Sequence, residues 1–313
     1  MPQIETTYIL SAGRSGSTLL NLIIGSHPRA VTVGEVSHLP KNLALNSPCS
    51  CGQPVWECPF WAAATDALSR RLRLDLKSDP YTLDLGFMGG KRIVDPARQT
   101  TLYRTTWKVR QRLLHWSQIS GLPLPKILRK RFDLGVANTI ALYEVIREQT
   151  GARLVADSSK EYLKGLALYA AAPERTRLIL LSRDGRAVFY SGIRSGSTPN
   201  EALRMWQAYY QRTLPLIEKL VPREQIFRLS YENLAANPER EARRVCDFLG
   251  LEFTASMLDF GSKVQHIANG NDMRLSRNQQ IVADLAWQTE LSQIDARYFE
   301  THAGSLNRLL GYT

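Results

Sequence analysis

The sequence predicts an α/β fold of three layers, with a central, mainly parallel sheet and helices on both faces. Three observations lead there. Short apolar runs alternate with longer segments of helical periodicity along 313 residues, the pattern of βα units. The run Arg177 to Leu181 (Arg-Leu-Ile-Leu-Leu) is apolar without alternation, as a strand buried on both faces requires. The first apolar run passes directly into a Gly/Ser loop and then a helix.

Taken in order, Thr7 to Leu10 is the first strand, with a helix from about Ser17 to Gly25 after the loop. Val31-Thr32-Val33 is the second strand and Arg153 to Ala156 the third, ending at Asp157-Ser158-Ser159-Lys160. Arg177 to Leu181 is a central fourth strand and Gln225 to Leu229 a fifth. Between strands two and three, from about 41 to 150, the chain reads as mostly helical. Tyr103 to Trp116 and Arg131 to Gln149 carry apolar residues at helical spacing, and Tyr103, Trp107 and Trp116 read as core. An insertion there is expected to cover the carboxyl edge of the sheet, where ligands of open α/β folds bind. The chain, 1–313, is expected to be one domain. It shows no repeats and no linker.

Composition is that of a globular protein, 44% hydrophobic and 22% charged, with a formal net charge of +11. That surplus favours an anionic partner. The basic residues fall in short clusters suited to solvated helix faces, and no nucleic-acid partner is expected. No run is long enough to span a bilayer, and Met1 to Leu10 lacks the features of a signal peptide. A cytoplasmic location follows as the expectation.

The strongest local signal is Leu10-Ser11-Ala12-Gly13-Arg14-Ser15-Gly16-Ser17-Thr18. Glycines let the backbone approach an anion, and the helix start offers unpaired N–H groups. Arg14, Ser17 and Thr18 add side-chain donors. The loop is P-loop-like, but a nucleoside-triphosphate loop needs Lys before its final Ser/Thr, and Ser17 stands there. A kinase-like phosphotransferase is therefore the weaker alternative, beside a non-catalytic nucleotide or polyanion binder. The second signal is Ser182-Arg183-Asp184-Gly185-Arg186 through Ser191. A guanidinium at a strand end and a hydroxyl two turns later can converge on another phosphate.

Together these segments resemble the PAPS-dependent sulfotransferases, PAPS being 3'-phosphoadenosine-5'-phosphosulfate. The family's 5'-phosphosulfate loop is similar to Gly13-Arg14-Ser15-Gly16-Ser17-Thr18, and its 3'-phosphate motif to Arg183-Asp184-Gly185-Arg186 with Ser191. Many members have Pro where this chain has Gly185. Leu229-Ser230-Tyr231-Glu232-Asn233-Leu234 resembles a segment whose Tyr lies near adenine, and Asn237 to Leu251 resembles the C-terminal helix. The resemblance implies a bacterial-type sulfotransferase that moves a sulfuryl group from PAPS to an acceptor hydroxyl of unidentified class, with no metal required.

In-line transfer needs a base for the acceptor proton and positive charge at the leaving phosphate. Gly34-Glu35 is similar to the segment carrying the catalytic Glu of tyrosylprotein sulfotransferases, so Glu35 is the expected base and His38 the second candidate. Arg14 and Lys160 are the expected charge stabilisers. The polar, Gly-bearing run His266 to Arg274 resembles a late loop that closes over the nucleotide, making Asn271 and Arg274, with Arg277, further candidates. Cys49, Cys51 and Cys58 leave three readings open. They are free thiols packed with Trp56, Phe60 and Trp61, a Cys49–Cys58 disulfide, or three zinc ligands completed by His38. Cys246 reads as core.

Overall fold

The computed structural model describes residues 3–85, 100–275 and 281–313. Five parallel strands, β1 (Thr6–Leu10), β2 (Ala30–Gly34), β3 (Leu154–Asp157), β4 (Thr176–Ser182) and β5 (Ile226–Ser230), lie in the order β2-β3-β1-β4-β5. All four pairings are parallel. The predicted strands are the observed ones, and β4 is interior, between β1 and β5. Its residues Leu178 to Leu181 are at most 2% exposed.

Side chains alternate across the sheet, so each strand feeds two cores. Tyr8, Leu10, Leu178 and Leu180 pack on one face with Trp61, Trp107, Phe132 and Leu142 from the long helical stretch. Ile9, Ile179, Leu181, Leu154 and Ala156 pack on the other with Leu20, Ile23, Val245 and Leu249. Three layers result. The second set comes from α1 (Ser17–Gly25) and from α10 (Pro238–Leu249), which has Pro at its first position.

The helical stretch consists, where described, of α2 (Leu39–Ala44), α3 (Pro59–Leu72), α4 (Thr101–Ser120) and α5 (Lys126–Thr150); residues 86–99 lie outside the described residues. Helical spacing misplaced one aromatic. Trp107 is buried and Tyr103 half-buried, but Trp116 is 53% exposed on the outer face of α4. Seven-residue spacing puts Trp116 on the same side as exposed Leu102 and Val109, rather than with Trp107. The remaining helices are α6 (Tyr162–Ala171), α7 (Gly185–Arg194), α8 (Pro199–Leu220), α9 (Tyr231–Ala236), α11 (Trp287–Glu290) and α12 (Gln293–Leu309). No helix among the described residues is long and apolar enough to cross a membrane.

Candidate active site

The loop after β1 turns through two left-handed residues, Arg14 (φ 67°) and Gly16 (φ 86°), with Gly16 capping α1. A side chain at Gly16 would collide with the Tyr231 ring, so this glycine is required on two counts, backbone conformation and space. Ser15 is fully buried beside Tyr210. Ser17 and Thr18 open α1 and are nearly buried. Gly13 and Arg14 are exposed.

The loop is joined to the end of β4. Arg14 Nη1 donates to Ser191 Oγ on α7 (3.2 Å), and Arg183 Nη1 donates to the Arg14 carbonyl (3.2 Å). Arg183 is 6% exposed and stacks 4.4 Å over Tyr231, at the start of α9. Its Nη2 donates to Asp284, at 2.9 Å to the carbonyl and 3.1 Å to Oδ2. Asp284 N in turn donates to the Tyr231 hydroxyl (3.1 Å). Asp184 accepts from the Arg186 backbone as N-cap of α7 and holds the Arg186 side chain, so Arg186 serves the helix start. A Cβ at Gly185 would lie 2.5 Å from Phe299 and 2.7 Å from Trp206. That crowding accounts for glycine at this position.

A second group gathers at the ends of β2 and β3. Gly34 (φ 64°) abuts Ile267 and the Asn269 carbonyl, which accepts from Glu35 N (3.2 Å). Lys160, also left-handed at φ 66°, sets Nζ 2.5 Å from Glu35 Oε1. Asn269 Nδ2 donates to Glu35 Oε2 at 3.4 Å, and His38 Nε2 is 3.7 Å from the same oxygen. Two residues beyond Asn269, Asn271 N donates to Thr18 Oγ1 (3.3 Å). One short segment thus touches both Thr18, at the end of the loop after β1, and Glu35. Burial pushes the Arg274 guanidinium down from its usual value, against the charges of Asp272, Cys49 and Glu35.

Beneath Lys160 lies a buried polar lattice. Asp157 accepts from Ser159 N (2.6 Å), Ser159 Oγ (2.5 Å) and Tyr143 OH (2.5 Å). Lys164 Nζ donates to Ser37 Oγ (2.8 Å), which donates to Glu161 Oε2 (2.7 Å). Lys164 and Asp157 are 0% exposed. Burial draws Lys164 below its ordinary value, while Asp157 and Glu161 oppose the shift. These bonds fix the backbone that presents Lys160 and Glu35.

Arg183 Nε and Arg274 Nε and Nη1 are buried with no hydrogen-bond partner among the described residues. Buried guanidinium donors of this kind are costly unless a ligand completes them. Residues 94–255, just over half the chain, match the model of the sulfotransferase family.

The chain belongs to the sulfotransferase family.

It is accordingly an enzyme, a sulfotransferase. Its fold is similar to the sulfotransferase domain of the Synechococcus PCC 7002 olefin synthase, 19% identical with a TM-score of 0.50 over 100% of this chain and 97% of that one. Sulfotransferase STF9 from Mycobacterium avium is 16% identical, TM-score 0.44, over 96% and 77%. Mouse sulfotransferase SULT7A1 complexed with PAP is 10% identical, TM-score 0.46, over 98% and 88%. No curated protein sequence matches the chain.

Of the sulfotransferase's expected site residues, Arg14, Ser191, Arg183 and Tyr231 form one contiguous group. Glu35, His38 and Lys160 form another, bridged to the first by the segment carrying Asn271. Arg277 lies outside the described residues. Asn269 and Asp284 escaped the sequence reading. Asn269 stood inside the polar late run, whereas nothing marked Asp284. His38 sits on Glu35, not on the cysteines, and the histidine beside Cys58 is His266, with Nδ1 3.2 Å from Sγ. All four cysteines are free thiols, with Cys246 in the core. The Cys49 hydrogen bond, helped by His266, draws the Cys58 thiol down to about 4 against the effect of burial, while Cys49 is pushed up.

Proposed function

We propose that this sulfotransferase binds PAPS between the Arg14 loop and the Arg183–Ser191 pair and sulfates an acceptor hydroxyl with Glu35 as general base. The observation that carries the proposal is the Lys160–Glu35 contact, a carboxylate and an ammonium paired at the carboxyl edge of the sheet. Glu35 is joined through Asn269 and Asn271 to the loop suited to a phosphosulfate.

In this reading Gly13 to Thr18 hold the 5'-phosphosulfate with backbone N–H groups, the Arg14 side chain and the start of α1. Arg183 and Ser191 take the 3'-phosphate, Tyr231 lies near the adenine, and Arg274 completes the anion shell with Asn271. Arriving negative charge competes with Glu35 for Lys160. Donor binding thereby moves the ammonium towards the bridging oxygen and leaves the carboxylate open to the acceptor proton. As the acceptor oxygen bonds to sulfur, the S–O bond to the 5'-phosphate breaks. Glu35 takes the proton, and Arg14 and Lys160 meet the charge left on the phosphate. These two cations supply the charge stabilisation, so the reading requires no metal in the transfer. His38, on the far side of Glu35, orients the carboxylate and is the second choice of base. The proposed location is the cytoplasm, where free thiols persist.

The experiment is PAP release from PAPS over a panel of phenols, alcohols and glycosides, with mass detection of the sulfated product. Acceptor-dependent PAP release that disappears in Glu35→Ala supports the reading. Transfer from PAPS at the wild-type rate in that variant removes Glu35 from the mechanism.

A further inference from the structure

Cys49, Cys51, Cys58 and His266 have no part in the chemistry just described, yet their ligand atoms all lie within 4.8 Å of one another. Two elements 208 residues apart in the chain meet there. Cys49 and Cys51 sit in a tight turn closed by Gly52 N donating to the Cys49 carbonyl (2.9 Å) and Cys49 N donating to the Gln53 carbonyl (2.8 Å). Gly52 adopts φ 94°, in the left-handed region that favours glycine. Cys58 is the N-cap of α3. His266 lies flat on Phe60, the rings 5.0 Å apart and 1° from parallel, with Nδ1 towards Cys58. Ser50, between the first two cysteines, clasps both neighbours of His266. Its Oγ donates to the Gln265 carbonyl (2.6 Å) and accepts from Ile267 N (2.8 Å), and its own N–H donates to the Ile267 carbonyl (3.0 Å).

Three sulfurs and one imidazole nitrogen are a donor set that selects zinc over the hard divalent cations. Tetrahedral bonds of about 2.3 Å to sulfur and about 2.0–2.1 Å to nitrogen place such ligands roughly 3.5–3.8 Å apart. The cluster reaches that spacing with small side-chain movements. Four protein ligands leave no open position, the arrangement of a structural rather than a catalytic zinc. A Cys49–Cys58 disulfide would leave Cys51 and the oriented His266 without a role.

We propose that Cys49, Cys51, Cys58 and His266 form a closed Cys3His zinc site that fastens the 265–271 segment to the turn before α3. Asn269 and Asn271 lie within the five residues after His266, so the metal secures the backbone that reaches Glu35 and Thr18. The site stands independently of how PAPS is bound.

Elemental analysis of the full-length wild-type protein, purified in zinc-replete medium and washed with EDTA, is expected to give one zinc per chain. Cys246→Ser, in the core against Met257, keeps that zinc, whereas Cys51→Ser and His266→Ala lose at least about nine-tenths of it. Because a ligand variant can lose metal by misfolding, the wild type supplies an independent readout. Reconstituted with cobalt(II), it develops thiolate-to-cobalt charge-transfer absorption and the intense visible bands of a tetrahedral ion. Wild-type protein that holds neither zinc nor cobalt, or that shows a Cys49–Cys58 disulfide by peptide mass mapping, overturns the proposal.

Discussion

Lys160 Nζ lies 2.5 Å from Glu35 Oε1, and the backbone of Lys160 takes the left-handed conformation to place it there. A β-carbon in that region is disfavoured by roughly 1–2 kcal/mol. The lattice around Asp157 holds the turn in place, through Ser159 N and Oγ on Asp157 Oδ1. The pairing joins the proposed base to a proposed charge stabiliser before any substrate is present.

Glu35→Gln separates these roles. Loss of the base is expected to lower kcat by about 10²–10⁴-fold, while PAP binding holds or tightens as Lys160 is released. Steady-state kinetics and calorimetry on the same preparation check both halves. A variant that loses PAP affinity and kcat together makes Glu35 a positioning residue.

Asp284 competes for Arg183, the group proposed to take the 3'-phosphate. Its carboxylate accepts from Arg183 at 3.1 Å and is about half exposed. Asp284→Asn should tighten PAP binding by up to about fivefold, matching the ~1 kcal/mol ceiling of an exposed pair. Affinity for AMP, which lacks the 3'-phosphate, should change less. Equal gains for both ligands would contradict the assignment of Arg183.

The two loop glycines should respond differently. Gly16→Ala meets the Tyr231 ring and a left-handed backbone, costing at least ~1–2 kcal/mol, read as a lowered Tm. Gly13 has open space around its α-carbon, and Gly13→Ala should leave Tm near that of the wild type. Equal losses would deny Gly16 its special geometry.

Stability should fall above pH 10. Tyr8 and Tyr143 are fully buried near Asp157, and burial first, then that carboxylate, holds them well above the ordinary value of 10.0; Tyr209 is raised by burial and then Tyr210. Folded-state values above the unfolded ones give stability that is complete below pH 10 and is lost as pH rises past it. The loss is about 1.4 kcal/mol per tyrosine for each pH unit. Lys164 and Lys263, both drawn down by burial, work in the opposite direction just below the ordinary lysine range, while Tyr162, Tyr169, Tyr210 and Tyr312, raised by burial, add to the loss. Urea unfolding from pH 8 to 11 checks the sign. A stability that climbs through pH 10 would contradict the assignment.

The strands were legible because Thr6–Leu10 and Thr176–Ser182 are short, apolar and bounded by turn residues, a pattern that depends on local sequence alone. Arg14, Glu35 and Arg183 were legible because each sits at a strand end beside a glycine or an acidic residue of recognisable spacing. Partnerships across the chain were not. His266 meets Cys58 across 208 residues, and Asp284 meets Arg183 across 101. No local period encodes either contact. Trp116 shows the limit of periodicity, since helical spacing marks a face but not which neighbour covers it. The left-handed turn at Lys160 is imposed by Asp157 and Ser159 through tertiary packing, and residue type gave no hint of it.

The measurement that tests the account most directly is calorimetric titration with adenosine 3',5'-bisphosphate, AMP and ATP in metal-free buffer, on the wild type and Arg183→Ala. The account predicts that the wild type prefers the bisphosphate to both other nucleotides, and that Arg183→Ala loses the preference while still binding AMP. Tighter binding of ATP, appearing only when magnesium is restored, would contradict it and return the Arg14 loop to the service of a triphosphate.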